Sequence, residues 1–165
     1  VEYSIREMKE EDWEQVACIY KAGIATQNAT FETKVPTYAD WMKRTHAKCC
    51  IVADDGSTIL GWSKISPVSD RAVYAGVGEV SVYVHPEAKG KGVGDSLLKA
   101  LIVVSEQQGY WTLQSGIFPE NISSIHLHKK NGFREVGRRE RIGKMNGVWR
   151  DTLFFERRSN MIGID

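Results

Sequence analysis

Three cysteines in 165 residues, Cys18, Cys49 and Cys50, are too few and too badly spaced for a disulfide framework. The number is odd, two are adjacent, and they sit inside apolar segments, so they read as small buried hydrophobes in a reducing compartment. No run of about 18 apolar residues occurs, which leaves no candidate for a membrane-spanning helix. The opening stretch Val1–Met8 alternates and carries charges, unlike a secretory leader, and a cytoplasmic location is expected. An excess of one charge is missing too: 22 Lys and Arg stand against 21 Asp and Glu, a net +1. No bulk field therefore draws nucleic acid or an anionic membrane. Basic residues gather late, at Arg138, Arg139, Arg141, Lys144, Arg150, Arg157 and Arg158, but Glu135, Glu140 and Glu156 interrupt them, as on a solvated mixed surface. There is no internal repeat and no low-complexity linker, and the length suits one domain over residues 1–165 with one site.

What is present is a readable series of elements. Tyr3–Met8 alternates as a strand, and Glu10, Glu11 and Asp12 place acids where a helix starts, with Trp13, Val16, Ala17, Ile19 and Tyr20 on its apolar face and Gly23 as its expected break. Thr37 opens a second helix carrying Tyr38, Trp41 and Met42. The stretch between them, Ala25–Pro36, has no period and is expected to be a loop that lines a pocket. Cys49–Ala53 and Ile59–Ile65 form a hairpin across Asp55-Gly56, and Val77–Val84 is a central strand stopped by Pro86. A helix then carries Val93, Leu97, Leu98, Leu101 and Val104 on one face and ends at Gly109. Trp111–Phe118 is a strand, and Asn121 caps a short helix that ends near Gly132. Phe133–Arg141 and Val148–Arg157 close the chain as strands around a turn at Gly143–Gly147. This order predicts a mixed α/β sandwich.

The chemistry concentrates in His85-Pro86-Glu87-Ala88-Lys89-Gly90-Lys91-Gly92-Val93-Gly94, between a strand and an amphipathic helix. Alternate glycines bare the backbone N–H groups, the helix start adds positive potential, and Lys89 and Lys91 add charge, so the segment suits phosphate. A flexible turn would share the glycines. Two phosphate motifs fail on spacing: a Walker loop needs Gly-Lys-Ser/Thr at its end, and a dinucleotide fingerprint needs glycine where Asp95 stands.

Lys89-x-x-Gly92-x-Gly94 resembles the coenzyme A loop of the GNAT superfamily of N-acetyltransferases, usually Gln/Arg-x-x-Gly-x-Gly/Ala, with lysine in the first place. Asn121-x-x-Ser124-x-x-Leu127-His128-x-x-x-Gly132-Phe133 resembles the family's downstream helix. Ala29-Thr30-Phe31-Glu32, Pro36-Thr37, Glu79-Val80-Ser81-Val82-Tyr83-Val84 and Gly147-x-Trp149-x-Asp151 are similar to the phosphinothricin and methionine sulfoximine acetyltransferases within it. The resemblance implies an α/β (α+β) fold, a mixed and mostly antiparallel sheet of about seven strands flanked by about four helices. It also implies an enzyme that transfers acetyl from acetyl-CoA to the amine of a small amino-acid analogue, working as a homodimer in which the turn at Lys144 and Met145 reaches the partner's site.

Residue by residue, the resemblance places acetyl-CoA against Val82, Tyr83, Val84, Lys89, Gly90, Lys91, Gly92, Val93, Gly94, Asp95, Asn121 and Ser124. A protonated amine cannot attack a thioester, so a base is needed, and Glu79 in an apolar strand, where burial would push a carboxyl up, is the candidate; a solvated strand end is the alternative. The backbone N–H near Val84 would hold the developing oxyanion. His128 stands where most of the superfamily has a tyrosine beside the leaving thiolate, and it is either a hydrogen-bond donor there or a structural helix residue. Arg71 beside Tyr74, with Phe31 and Lys144, would hold an acceptor bearing a carboxylate and a tetrahedral polar end, although Ser69-Asp70-Arg71 also reads as a turn. His126 and His128 lie two apart on a helix and diverge, so no metal site is expected. A peptide N-terminal acetyltransferase and a noncatalytic acyl-CoA sensor are the competing readings.

Overall fold

Alternation along the strand Cys50–Asp54 sorts the core into two layers: Ile51 and Ala53 join one apolar cluster, Cys50 and Val52 the other. The computed structural model describes residues 2–165, and Val1, part of the expected alternating start, lies outside them. In chain order the elements are β1 (Ser4–Glu7), α1 (Trp13–Ala25), α2 (Tyr38–Lys43), β2 (Cys50–Asp54), β3 (Ile59–Pro67), β4 (Val77–Val84), α3 (Val93–Gln107), β5 (Thr112–Ile117), α4 (Ile122–Lys130), β6 (Arg134–Met145) and β7 (Val148–Arg158).

The strands form one seven-stranded sheet in the order β1-β2-β3-β4-β5-β7-β6, with only the β4–β5 pair parallel. Val93, Leu97, Leu98 and Leu101 of α3, with Leu127 of α4, pack on one face, and Val16, Ile19 and Tyr20 of α1 with Trp41 of α2 pack on the other. Four α-helices on a seven-stranded mixed sheet is the GNAT fold that the resemblance implied. Caps fall where the side chains predict: the Thr37 hydroxyl accepts from Asp40 N, and Asn121 Oδ1 accepts from Ser124 N.

The sheet is forked. β4 and β5 pair only at Val77↔Thr112, Gly78↔Leu113 and Glu79↔Gln114. Beyond that, β5 stays with β7 as far as Ile117↔Leu153, while β4 stays with β3 as far as Gly61↔Val84. His85 N–H bonds to Leu60 O at the end of the β3–β4 ladder. Successive N–H groups of a strand point to opposite edges, so those of Val82 and Val84 face the open side of the fork.

Two glycines behave differently from expectation. Gly23 does not end α1, which runs on to Ala25; a Cβ there would lie 2.5 Å from Cε2 of Tyr83, so glycine lets the helix lie against that ring. The turn expected over Gly143–Gly147 is only Asn146-Gly147, with φ of +50° and +80°. Gly143 lies within β6 opposite Arg150, and a Cβ there would sit 2.8 Å from the Phe31 ring. Between Arg139 and Gly143 the register shifts, and Arg141 takes φ +45°. Asp151 holds this bulge: Oδ1 accepts Arg141 N–H at 2.7 Å and Oδ2 accepts Arg138 Nε at 2.7 Å. The Gly-x-Trp-x-Asp motif is therefore a turn followed by a bulge clamp.

Candidate active site

The fork opens a cleft of about 1620 Å³ that runs through the molecule on both sides of β4. One arm lies between the start of α3 and α4, the other between β3, β4 and the loop after α1.

In the first arm Gly90 and Gly92 have φ of +77° and +78°, and a Cβ at either would meet nothing within 4 Å. Gly92 is the N-cap of α3 and supplies no side chain to its first turn. The first helical bond is Ser96 N to Gly92 O, so the N–H groups of Val93, Gly94 and Asp95 have no helical acceptor. Bare donors at the positive end of a 15-residue helix fit the pyrophosphate of coenzyme A. Lys89 joins the lining, whereas Lys91 lies outside it, exposed at the loop's apex. The Asp95 carboxylate does not face a ligand: it binds Lys99 at 2.7 Å, Asn131 Nδ2 at 2.9 Å and Lys130 at 3.6 Å, and these partners, Lys99 foremost, hold it below the usual carboxylate range. It ties α3 to the end of α4, and its place in the loop is a backbone one.

Asn121 and Ser124 line the same arm. The Asn121 side chain is already engaged, with Oδ1 on Ser124 N and Nδ2 donating to Asn28 O at 3.1 Å. It joins the coenzyme helix to the loop after α1. Arg150, which the sequence reading left among surface charges, reinforces the joint. Its guanidinium donates to Gln27 O at 2.8 Å, Asn28 Oδ1 at 2.9 Å and Glu120 Oε1 at 3.1 Å, and it lies 4.1 Å over the Phe118 ring.

His128 is buried, edge-on to Phe133 with ring centroids 5.0 Å apart. Its Nδ1 lies 2.7 Å from the Ser124 carbonyl oxygen, which can only accept, so Nδ1 carries the proton of the neutral ring. Nε2 then holds a lone pair, and among the described residues it has no partner. Burial lowers the imidazole from its ordinary value, which keeps it neutral. The donor function expected of this imidazole is thus occupied by Ser124.

Glu79 stands at the fork, the last residue of β4 paired to β5, with Gln114 Nε2 3.4 Å from its Oε1. The apolar enclosure expected around it is absent: the side chain is exposed to the cleft. Val82, Tyr83 and Val84 follow along the lining. The Tyr83 ring stacks on Trp62 at 4.6 Å, its phenol raised by burial. In the second arm the half-exposed Phe31 packs edge-on to Phe118 at 4.8 Å. Arg71, Tyr74 and Lys144 are not brought to this cleft: Arg71 stacks on Tyr74 in the exposed loop between β3 and β4, and Lys144 sits over Trp149 on the hairpin β6–β7. Lys64, which the sequence reading passed over, does line it. A lone lysine in Ile59–Ile65 was the available signal. Among the described residues no cluster of three His, Cys, Asp or Glu could hold a metal ion.

A helix-start anion cradle beside a forked sheet, with a carboxylate at the fork, defines an acyl-coenzyme A-dependent transferase. The model described as Acetyltransferase (GNAT) family matches residues 4–133, and the chain belongs to that family; it is an acetyl-CoA-dependent N-acetyltransferase. It is similar to the phosphinothricin N-acetyltransferase of Alcaligenes faecalis, 30% identical over 164 residues that cover 95% of this chain and 83% of the relative. The L-methionine sulfoximine/L-methionine sulfone acetyltransferase of Pseudomonas aeruginosa is 29% identical over 159 residues, 93% of this chain and 92% of the relative. A solved GNAT superfamily phosphinothricin acetyltransferase from Sinorhizobium meliloti, in complex with AcCoA, superposes with a TM-score of 0.88 at 27% identity, covering 100% of this chain and 92% of that one.

Proposed function

We propose that the chain, as one catalytic domain over residues 1–165, acetylates the α-amine of a small amino-acid analogue of the phosphinothricin or methionine sulfoximine type, by direct attack in a ternary complex. The fork carries this reading: it sets Glu79 and the free N–H groups of Val82 and Val84 between a phosphate-binding arm and an aromatic-walled acceptor arm. The relatives named for these acceptors support it.

In this account the glycine loop and Lys89 take the pyrophosphate, and the thioester lies along the open edge of β4. The acceptor ammonium gives a proton to Glu79, directly or through one water, and the freed nitrogen attacks the thioester carbon. The oxygen takes up negative charge, and one of the two open-edge N–H groups, that of Val82 or that of Val84, holds it. As the C–N bond completes, the C–S bond breaks with its electron pair on sulfur, and the extra proton on the attacking nitrogen passes to the leaving thiolate, directly or through water. His128 takes no part in the proton transfers of this account: Nδ1–H is held by the Ser124 carbonyl and Nε2 is buried, so the ring braces α4 against Phe133.

Phe31, packed on Phe118 and against Gly143, narrows the acceptor arm, and with the relatives named for amino-acid analogues this favours a small acceptor over a peptide. A homodimer is supported by the exposed apolar residues Ile142, Val148 and Trp149 on the hairpin β6–β7, which would also carry Lys144 toward a partner's cleft. Cys49 and Cys50 are buried as expected while Cys18 is exposed on α1, and the three free thiols support a cytoplasmic setting. Thiol release from acetyl-CoA over a panel of amino acids and simple amines tests the proposal: turnover with amino-acid analogues is expected, and no turnover with any amine would favour a sensor.

A further inference from the structure

The geometry points to Lys64 as the group that binds the acceptor's carboxylate, so that Lys64 and Glu79 bracket the two ends of a zwitterion in the acceptor arm. This rests on the amino-acid reading above and adds to it the residue that selects for the acid group.

The placement follows from strand alternation. On β3, Ser63 and Ile65 face α3, the former through a hydroxyl that bonds to Leu97 O, while Trp62, Lys64 and Ser66 face the opposite side. Lys64 pairs with Ser81 and Ser66 with Glu79, which makes Lys64 the diagonal neighbour of Glu79 across the β3–β4 ladder. Diagonal neighbours on one face have Cβ atoms roughly 7 Å apart. Both side chains line the cleft, and among the described residues neither forms an ion pair with the other or with anything else. An α-amino acid carries its ammonium and its carboxylate on one carbon, and it can present one to each of these two side chains.

Lys64 is 8% exposed, with Nζ 4.4 Å from the Trp41 ring centroid and a single hydrogen bond, to Thr45 Oγ1 at 3.0 Å. An ammonium has three N–H donors, so two are left for a ligand. A buried cation without a counter-ion is strongly unfavourable, and a methionine would fill the same volume without that penalty. The Trp41 ring and the Thr45 hydroxyl offset part of that cost, but the surroundings supply no counter-ion. Arg44 at the end of α2 is of like charge and also lines the cleft, the buried Cys50 thiol is pushed up to about 12 and stays neutral, and Glu79 acts only from a distance. An anion arriving through the cleft completes the site. Arg71, the residue assigned to this task by resemblance, is outside the lining.

The test compares purified wild type with Lys64→Met and, as a second neutral variant, Lys64→Gln, using acetyl-CoA with methionine sulfoximine and with its decarboxylated amine. We expect kcat/KM for the amino acid to fall at least ten times more than kcat/KM for the amine, with the loss in KM, and acetyl-CoA to protect wild type and both variants from thermal unfolding to the same degree. Equal losses on both acceptors in a variant that folds and binds acetyl-CoA would overturn the assignment and leave the amino-acid reading standing. Failure of wild type to acetylate any α-amino acid would overturn both, and the wild-type data alone show which has failed.

Discussion

Gln114 Nε2 lies 3.4 Å from Glu79 Oε1, across the last register pair before β4 and β5 part. The contact places a side-chain amide beside the carboxylate at the point inside the sheet where the β4–β5 ladder ends.

Glu79→Gln should therefore keep acetyl-CoA affinity and lose about 10²-fold in turnover near neutral pH, the usual scale for a general base. The deficit should shrink as pH rises and more of the acceptor is already unprotonated. Steady-state rates between pH 7 and 10, about the acceptor's own range, check this. Normal turnover of the variant at neutral pH would move the base elsewhere.

Gly92 occupies a left-handed conformation at the start of α3 with open space beside it. Gly92→Val should weaken acetyl-CoA binding tenfold or more, about 1.4 kcal/mol, through backbone strain and occlusion of the phosphate path. Calorimetry on the folded variant reads the change, and an unaltered affinity would take the loop out of the coenzyme site.

Arg150 joins the loop after α1 to the β5–α4 connection through three hydrogen-bonded residues. Arg150→Met should lower stability by about 1–3 kcal/mol, the range for hydrogen bonds to a charged group that is largely buried. The acceptor KM should rise more than the acetyl-CoA KM, because the loop carries Phe31. Urea unfolding and the two Michaelis constants measure both effects. Loss of stability without the KM difference would make Arg150 purely structural.

Much of this was legible in the sequence, and the exceptions share a cause. The apolar runs flanking Asp55-Gly56, the β-branched run stopped by Pro86 and the caps at Thr37 and Asn121 are local signals, and they placed β2, β3, β4, α2 and α4 to within a residue or two. The fork is not local: it arises because β5 leaves β4 after Gln114 to stay with β7, a strand some forty residues on. Glu79 was consequently read as enclosed by its apolar strand when it lies at the opening. The same blindness to tertiary neighbours turned Gly23 into a helix break, although its role is to admit the Tyr83 ring. It also stretched a two-residue turn over Gly143, which glycine occupies because Phe31 lies against it. Lys64 shares a face with Trp62 by strand alternation, but only the packing of α2 shows that Trp41 lies against this face and that it lines the cleft.

Lys64 also gives a pH signature. Burial lowers its ammonium to about 8, with Arg44 pushing the same way and Glu79 opposing. The charge is present below that value and is lost as pH rises through it. The ratio of wild-type to Lys64→Met kcat/KM for one amino-acid acceptor should thus be large at pH 7, by about tenfold, and fall toward unity above pH 8. Using one acceptor cancels the titration of its own amine. A ratio that stays level across this range would remove Lys64 charge from acceptor binding.

Arg71→Ala supplies the contrast. With Arg71 stacked on Tyr74 outside the cleft, its removal should change the amino-acid KM by less than about twofold, within the small effects of exposed substitutions. A tenfold rise confined to carboxylate-bearing acceptors would return the role to Arg71.

The central claim is that acetyl passes directly from coenzyme A to an α-amine held at the fork. Initial rates with acetyl-CoA and methionine sulfoximine both varied, together with mass-spectrometric identification of the product, test it most directly. Intersecting double-reciprocal lines and an acetyl group on the α-nitrogen are predicted. Parallel lines with an acetylated enzyme, or a product acetylated anywhere but the α-nitrogen, would contradict it.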